Sequence, residues 1–88
     1  MPHIQKEIII KNKQGLHARP AAMLVQIVSK FNATVNLEKD GQKVNGRSIM
    51  GILTLGAQKD SNLLIEADGD DAQDVVNEIE KLLTQESF

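Results

Sequence analysis

A histidine inside the segment GLHARP, residues 15–20, is the side chain in this sequence best placed to do chemistry. The chain has no cysteine, tryptophan or tyrosine, so thiol and phenol chemistry are excluded. His3, the only other histidine, lies in an N-terminal segment that we expect to be frayed. His17 is therefore the candidate nucleophile.

The residues that follow His17 indicate what it could react with. A helix predicted to begin at Ala18 would place His17 at its N-cap, where unpaired amides and the helix dipole favour an anion. A neutral imidazole nitrogen can act as a nucleophile, and the guanidinium of Arg19 matches the oxygens of a phosphate. The segment predicts a phosphoryl site that needs no metal or other cofactor. The simpler alternative is that His17 is a surface or capping residue.

The elements that would position this site follow from the periodicity of the apolar residues. Alternation predicts a strand over 4–11, a strand pair over 33–45 with its turn at Asp40-Gly41, and a strand over 61–67. Helical spacing predicts a helix from Ala18 that includes Phe31 on its apolar face, a short helix over 48–55 that begins at Ser48 and ends at Gly56, and a helix over 71–83. Carboxylates at the start of the last helix suit its dipole: Asp70, Asp71 and Asp74.

The order β-α-β-β-α-β-α predicts an α+β fold, a mainly antiparallel sheet with the helices on one side. We expect residues 1–88 to form a single cytoplasmic domain without a membrane span. Charge is uneven, since residues 1–50 hold eight Lys/Arg against three Asp/Glu and residues 51–88 hold two against nine. Nucleic acid is a poor candidate partner, because Phe31 and Phe88 are the only aromatic residues. The basic half favours an acidic protein instead.

Two segments carry a family resemblance. GLHARPAAMLVQ (15–26) and VNGRSIMGILTLG (44–56) resemble the phosphocarrier HPr family of the bacterial phosphoenolpyruvate-dependent phosphotransferase system (PTS). The resemblance implies an open-faced β-sandwich, in which a four-stranded antiparallel sheet carries three helices on one face.

The same resemblance implies a mechanism for sugar uptake and its regulation. His17 would accept a phosphoryl group on Nδ1 from phosphorylated enzyme I and pass it to an EIIA domain, while Arg19 steadies the phosphate. The protein would then be a stoichiometric phosphohistidine carrier rather than an enzyme, and we expect it to be a monomer. Because two partners must reach His17 in turn, the ring should be exposed.

Ser48 is the second candidate site. Its type and position predict a helix cap. The resemblance implies a regulatory role as well, since the matching serine in many family members is phosphorylated by an HPr kinase/phosphorylase. A phosphate there is compatible with the helix dipole but would disturb partner docking.

Partner binding is expected on an apolar surface around His17. The resemblance implies that residues on the first two helices form this surface: Ala22, Met23, Ile49, Met50 and Leu53. We expect Arg19, Lys30 and Arg47 to add positive charge that steers acidic partners. The alternative is that the apolar stripe belongs to the core.

Other function classes stay open. Gly46 also fits nitrogen-branch paralogues, so the sugar branch is not assigned, and Arg47 stands where lysine is common in the family. A regulatory binding module controlled by phosphate on Ser48, including a corepressor-type paralogue, is the main alternative. An unrelated small binding domain would carry phosphate on neither residue.

Overall fold

The structure is a computed structural model that describes residues 2–86. Its elements follow the predicted order of strands and helices. They are β1 (His3–Ile9), α1 (Ala18–Ser29), β2 (Thr34–Lys39), β3 (Gln42–Asn45), α2 (Ile49–Thr54), β4 (Asn62–Asp68) and α3 (Ala72–Leu83).

The strands form one antiparallel sheet in the order β1-β4-β2-β3. The central strand β4 pairs Leu63 with Ile8 of β1 and Ile65 with Leu37 of β2. The hairpin between β2 and β3 turns at Asp40-Gly41, where φ is 52° and 84°. Two consecutive positive φ values suit a tight hairpin turn between twisted strands. The predicted hairpin is confirmed.

The core lies between the sheet and the helices. Along β4 every second side chain is buried, at Leu63, Ile65 and Ala67. The helical spacing of α3 buries Val75 and Val76 against β1 and β4. The two periodicities meet in one apolar cluster, which confirms the predicted α+β fold.

The N-terminal strand differs from its prediction. His3 was expected in a frayed terminus, but it lies in β1 opposite Asp68, and its Nδ1 contacts the Asp68 carboxylate. Pairing with β4 accounts for the order of this segment. The strand also ends at Ile9, since the amide of Lys11 turns away to the carbonyl of Leu83 at the end of α3, 2.9 Å away.

The helices are short. α1 and α3 have 12 residues each, and among residues 2–86 no helix is long and apolar enough to cross a membrane. α1 ends at Ser29, so the prediction that Phe31 belongs to its face is wrong. The amide of Phe31 reaches back only to Val28, a tighter turn than an α-helix makes. The ring is still half-buried against the core.

Two charged side chains hold the connection between α1 and β2. The carboxylate of Asp71 accepts hydrogen bonds from the amides of Asn32 and Ala33, at 2.8 and 2.9 Å. The guanidinium of Arg47 donates to the carbonyls of Phe31 and Ala33, at 3.1 and 3.4 Å. Asp71 was expected to serve the dipole of its own helix, and its side chain makes no capping bond there. The backbone amides and carbonyls of this short connection lie outside any helix or strand, so they need side chains as hydrogen-bond partners.

Replacing Asp71 with alanine should therefore lower the free energy of unfolding by about 1–3 kcal/mol, because two backbone amides lose their acceptor. Urea denaturation measures the change. Asp70→Ala is the matched control, since Asp70 is exposed and makes no hydrogen bond among the described residues. Equal stability of the two variants would contradict the role given to Asp71.

The sheet face away from the helices carries an ion-pair network. Lys43 on β3 lies 2.8 Å from Glu66 on β4, and Gln5 donates to the same carboxylate at 2.9 Å. The hydrogen bond from Lys43, followed by that from Gln5, lowers the pKa of Glu66 below its ordinary value. The bond to Glu66 raises the pKa of Lys43.

Lys43→Gln should reduce stability at neutral pH, and the loss should depend on pH. A carboxylate whose pKa is lowered by folding stabilises the fold above its ordinary value, 4.5 for Glu66, and this contribution disappears as the pH falls through the lowered value. The difference between wild type and variant should therefore shrink below pH 4.5. Denaturation across pH measures it, with Lys81→Gln as control, and a difference that does not change with pH would contradict the assignment.

Candidate functional site

His17 lies at the N-cap of α1, as predicted. Its backbone is extended, with φ −89° and ψ −168°, and its side chain makes no capping hydrogen bond. Its carbonyl accepts the amide of Ala21 at 3.0 Å, which is the first bond of the helix. The imidazole therefore lies next to the start of the helix but does not cap it.

His17 is half-buried, whereas it was expected to be exposed. Leu16 before it and Pro20 after it are buried, and they anchor the backbone of this segment to the rest of the protein. The open part of the ring is what a partner could reach.

The first turn of α1 offers groups that could hold an anion. The amides of Ala18 and Arg19 have no acceptor within residues 2–86, as expected for a helix start. The side chain of Arg19 is exposed, and it forms no ion pair with any residue in that range. Within the same residues, no three His, Cys, Asp or Glu side chains converge to hold a metal. The arrangement suits the oxygens of a phosphate.

Gly15 fixes the loop that leads to His17. Its φ is +72°, and a Cβ at this position would lie 2.6 Å from the carbonyl oxygen of Ala57 and 2.9 Å from Cα of Gln58. The next residue, Leu16, donates its amide to Ala57 at 2.9 Å. Only glycine permits both this conformation and this close approach.

A chain of hydrogen bonds runs to His17 from the segment after α3. The side-chain amide of Asn12 donates to the carbonyl of Gln85, and the carbonyl of Asn12 accepts the amide of Gly15 at 3.2 Å. The carbonyl of Gly15 in turn accepts the amide of His17 at 3.1 Å. Asn12 is 1% exposed, a burial that the sequence did not indicate. Its segment, NKQG, predicts only the end of a strand.

Ser48 caps α2. Its Oγ accepts the amide of Gly51 at 3.0 Å, so the predicted capping role is confirmed. The side chain is half-buried. Directly after it stand two exposed apolar residues, Ile49 (40% exposed) and Met50 (71% exposed).

The expected docking residues fall into two groups. Ile49 and Met50 are open to a partner, whereas Ala22, Met23 and Leu53 are half-buried, the last two against the core. The alternative that these apolar residues belong to the core therefore applies to Met23 and Leu53.

The basic residues also differ in their surroundings. Lys30 is exposed at the C-cap of α1. Arg47 is exposed but committed to the carbonyls of Phe31 and Ala33, so reversing its charge would disturb the fold as well as the surface potential. Lys30 is thus the cleaner place to test steering.

Comparisons with known proteins agree with this geometry. The family model for the PTS HPr component phosphorylation site matches residues 4–85. The phosphocarrier protein HPr of Bacillus anthracis is 37% identical, with a TM-score of 0.89 over 94% of this chain and 99% of that one. HPr of Thermoanaerobacter tengcongensis is 44% identical, with a TM-score of 0.82 over 94% and 91%.

A regulatory protein is similar as well. Crh, the catabolite repression protein of Bacillus subtilis, is 36% identical, with a TM-score of 0.75 over 97% of this chain and 98% of that chain. Its crystal structure is a swapped dimer.

The loop geometry generates a prediction for Gly15→Ala. A left-handed alanine costs about 1–2 kcal/mol, and the contact with Ala57 adds a clash, so this variant should lose more stability than Gly56→Ala. Gly56 has a similar φ of +58° but open space around it. Urea denaturation compares the two variants. Equal losses would show that the close approach does not constrain the loop.

Proposed function

The chain belongs to the HPr family of the phosphotransferase system, and on that premise we propose that it carries a phosphoryl group on His17. The observation that carries this proposal is the His17 ring at a helix start, which caps no amide and lies beside amides and an Arg19 side chain that have no partner in the described part of the chain. A histidine used only as a cap would bond the helix amides itself.

The proposed transfer moves one phosphoryl group from phosphorylated enzyme I to the imidazole of His17. The lone pair of the His17 Nδ1 attacks the phosphorus, the bond between phosphorus and the donor atom of enzyme I breaks and leaves its electron pair on that atom, and a new N–P bond forms on His17. The amides of Ala18 and Arg19, with the Arg19 guanidinium, hold the phosphoryl oxygens. Transfer to an EIIA domain repeats these steps with His17 as the donor. The carrier ends each cycle unchanged.

We assign docking to α1 and α2, which pack against each other. Ile49 and Met50 provide exposed apolar area on α2, and Ala22, Met23 and Leu53 are half-buried. Exposed apolar side chains are typical of an interaction surface. We expect enzyme I and EIIA to use this surface in turn, with the carrier as a monomer.

A second candidate function is regulatory, and the position of Ser48 favours it. The similarity to Crh is compatible with such a role. A phosphate added to Oγ by an HPr kinase/phosphorylase would stand at the start of α2, directly before Ile49 and Met50. The negative charge of this phosphate would lie at the docking surface and would leave the core unchanged.

Incubation with phosphoenolpyruvate and enzyme I should add one phosphate to the wild type, and intact mass measures it. Phosphate on an imidazole nitrogen should be lost in mild acid and retained in base. His17→Ala should remain unmodified, while His3→Ala should accept phosphate as the wild type does. An acid-stable phosphate, or a phosphate on His17→Ala, would contradict the assignment.

Ser48→Asp should slow phosphorylation of His17 by enzyme I, because its carboxylate brings negative charge to the docking surface. The stopped-flow or quench-flow rate measures the effect. Ser48→Ala is the control, since it loses the cap, about 1 kcal/mol of stability, without adding charge. Unchanged transfer in Ser48→Asp would remove the regulatory role.

A further inference from the structure

The basic residues of this protein fall into two classes. All ten Lys and Arg lie within residues 2–86, and half of them stand within 4.0 Å of a carboxylate in that range. The paired ones are Lys6, Lys11, Lys39, Lys43 and Lys81. The others are Lys13, Arg19, Lys30, Arg47 and Lys59.

The unpaired cations are not spread evenly over the fold. Arg19 and Lys30 lie at the two ends of α1, and Arg47 precedes α2. Lys13 lies in the loop before His17, and Lys59 in the loop between α2 and β4. An unpaired surface cation loses no intramolecular ion pair when it meets an external carboxylate, so these positions favour an acidic partner.

Lys13 and Lys59 are brought together by the contact that fixes the His17 loop. Gly15 packs on the backbone of Ala57 and Gln58, and Leu16 bonds to Ala57. Lys13 lies two residues before Gly15 and Lys59 directly follows Gln58, and both lysines line one open cavity of about 380 Å³. Neither belongs to the helical surface assigned to docking above.

Among residues 2–86, the charges that line this cavity do not cancel. Besides the two unpaired lysines, it is lined by Lys11, Asp60 and Glu86. Asp60 stands 3.7 Å from Lys11, so its carboxylate is already matched. Glu86 alone remains against Lys13 and Lys59, which leaves an excess of positive charge.

We propose that this cavity is a second docking site, separate from the helical surface, which receives a carboxylate side chain of the phosphoryl-transfer partner. The proposal rests on the function proposed above and adds a place of contact to it. The ammonium groups of Lys13 and Lys59 hold the carboxylate. Lys13 lies in the loop that contains Gly15 and leads to His17, and Lys59 lies in the loop that Gly15 contacts. An acidic residue bound here would therefore help bring the partner to the loops beside the imidazole. Because the lysines are exposed, their main effect is on the rate of association.

The test is the second-order rate of phosphoryl transfer from phosphorylated enzyme I, measured by quench-flow at low and high salt. The double variant Lys13→Gln/Lys59→Gln should be slower by about fivefold or more at low salt, and the difference should fade at high salt. The first-order rate at saturating partner should stay that of the wild type. The matched control is Lys39→Gln/Lys81→Gln, which removes the same charge at paired positions.

Each result has a definite meaning. Normal phosphorylation of the wild type establishes the carrier function independently of the cavity. If the double variant then matches the control at low salt, the docking site is wrong. A deficit of equal size at all salt concentrations would also overturn the proposal, since an electrostatic contact must be screened.

Discussion

The close approach of Gly15 to the backbone of Ala57 and Gln58 is the contact on which the candidate site depends. It joins the loop before α1 to the loop after α2, at a distance that no side chain would permit. The hydrogen bonds that the amide of Leu16 donates to Ala57 and the amide of Gly15 donates to Asn12 secure the same place. Catalytic and carrier groups on loops need such support, because a loop without it would not hold a reactive atom in one position.

The core and the site make different demands on the chain, and the structure separates them. Most large apolar residues of the sheet and α3 are buried. Most of the charged side chains of these elements form ion pairs with each other. Among residues 2–86, by contrast, the amides of Ala18 and Arg19 and the guanidinium of Arg19 have no partner. Groups left unsatisfied at an exposed helix start are available to a phosphate, whereas the same groups in the core would destabilise the fold.

Local patterns predicted the features that depend on neighbours in the chain. The Asp40-Gly41 hairpin, the start of α1 after His17, the Ser48 cap and the face of α3 all follow from turn chemistry or from periodicity. Each requires only residues a few positions apart. The order β-α-β-β-α-β-α predicted an antiparallel sheet with the helices on one side, and the resemblance carried by residues 15–26 and 44–56 implied the same arrangement.

Features that depend on distant partners were not predicted. Asp71 serves amides 38 and 39 residues away, and the order of His3 comes from its pairing with β4. Asn12 is buried by a segment from the other end of the chain, which no local pattern reveals. The half-burial of His17 was not predicted either.

The central claim is that His17 holds its phosphoryl group in a form that can be given away. The most direct measurement isolates the phosphorylated protein, free of phosphoenolpyruvate, and mixes it with unphosphorylated enzyme I and pyruvate. A carrier should lose its phosphate at the rate of the enzymatic step, and phosphoenolpyruvate should appear in equal amount. Phosphate that stays on the protein, or that appears only as inorganic phosphate, would contradict the account.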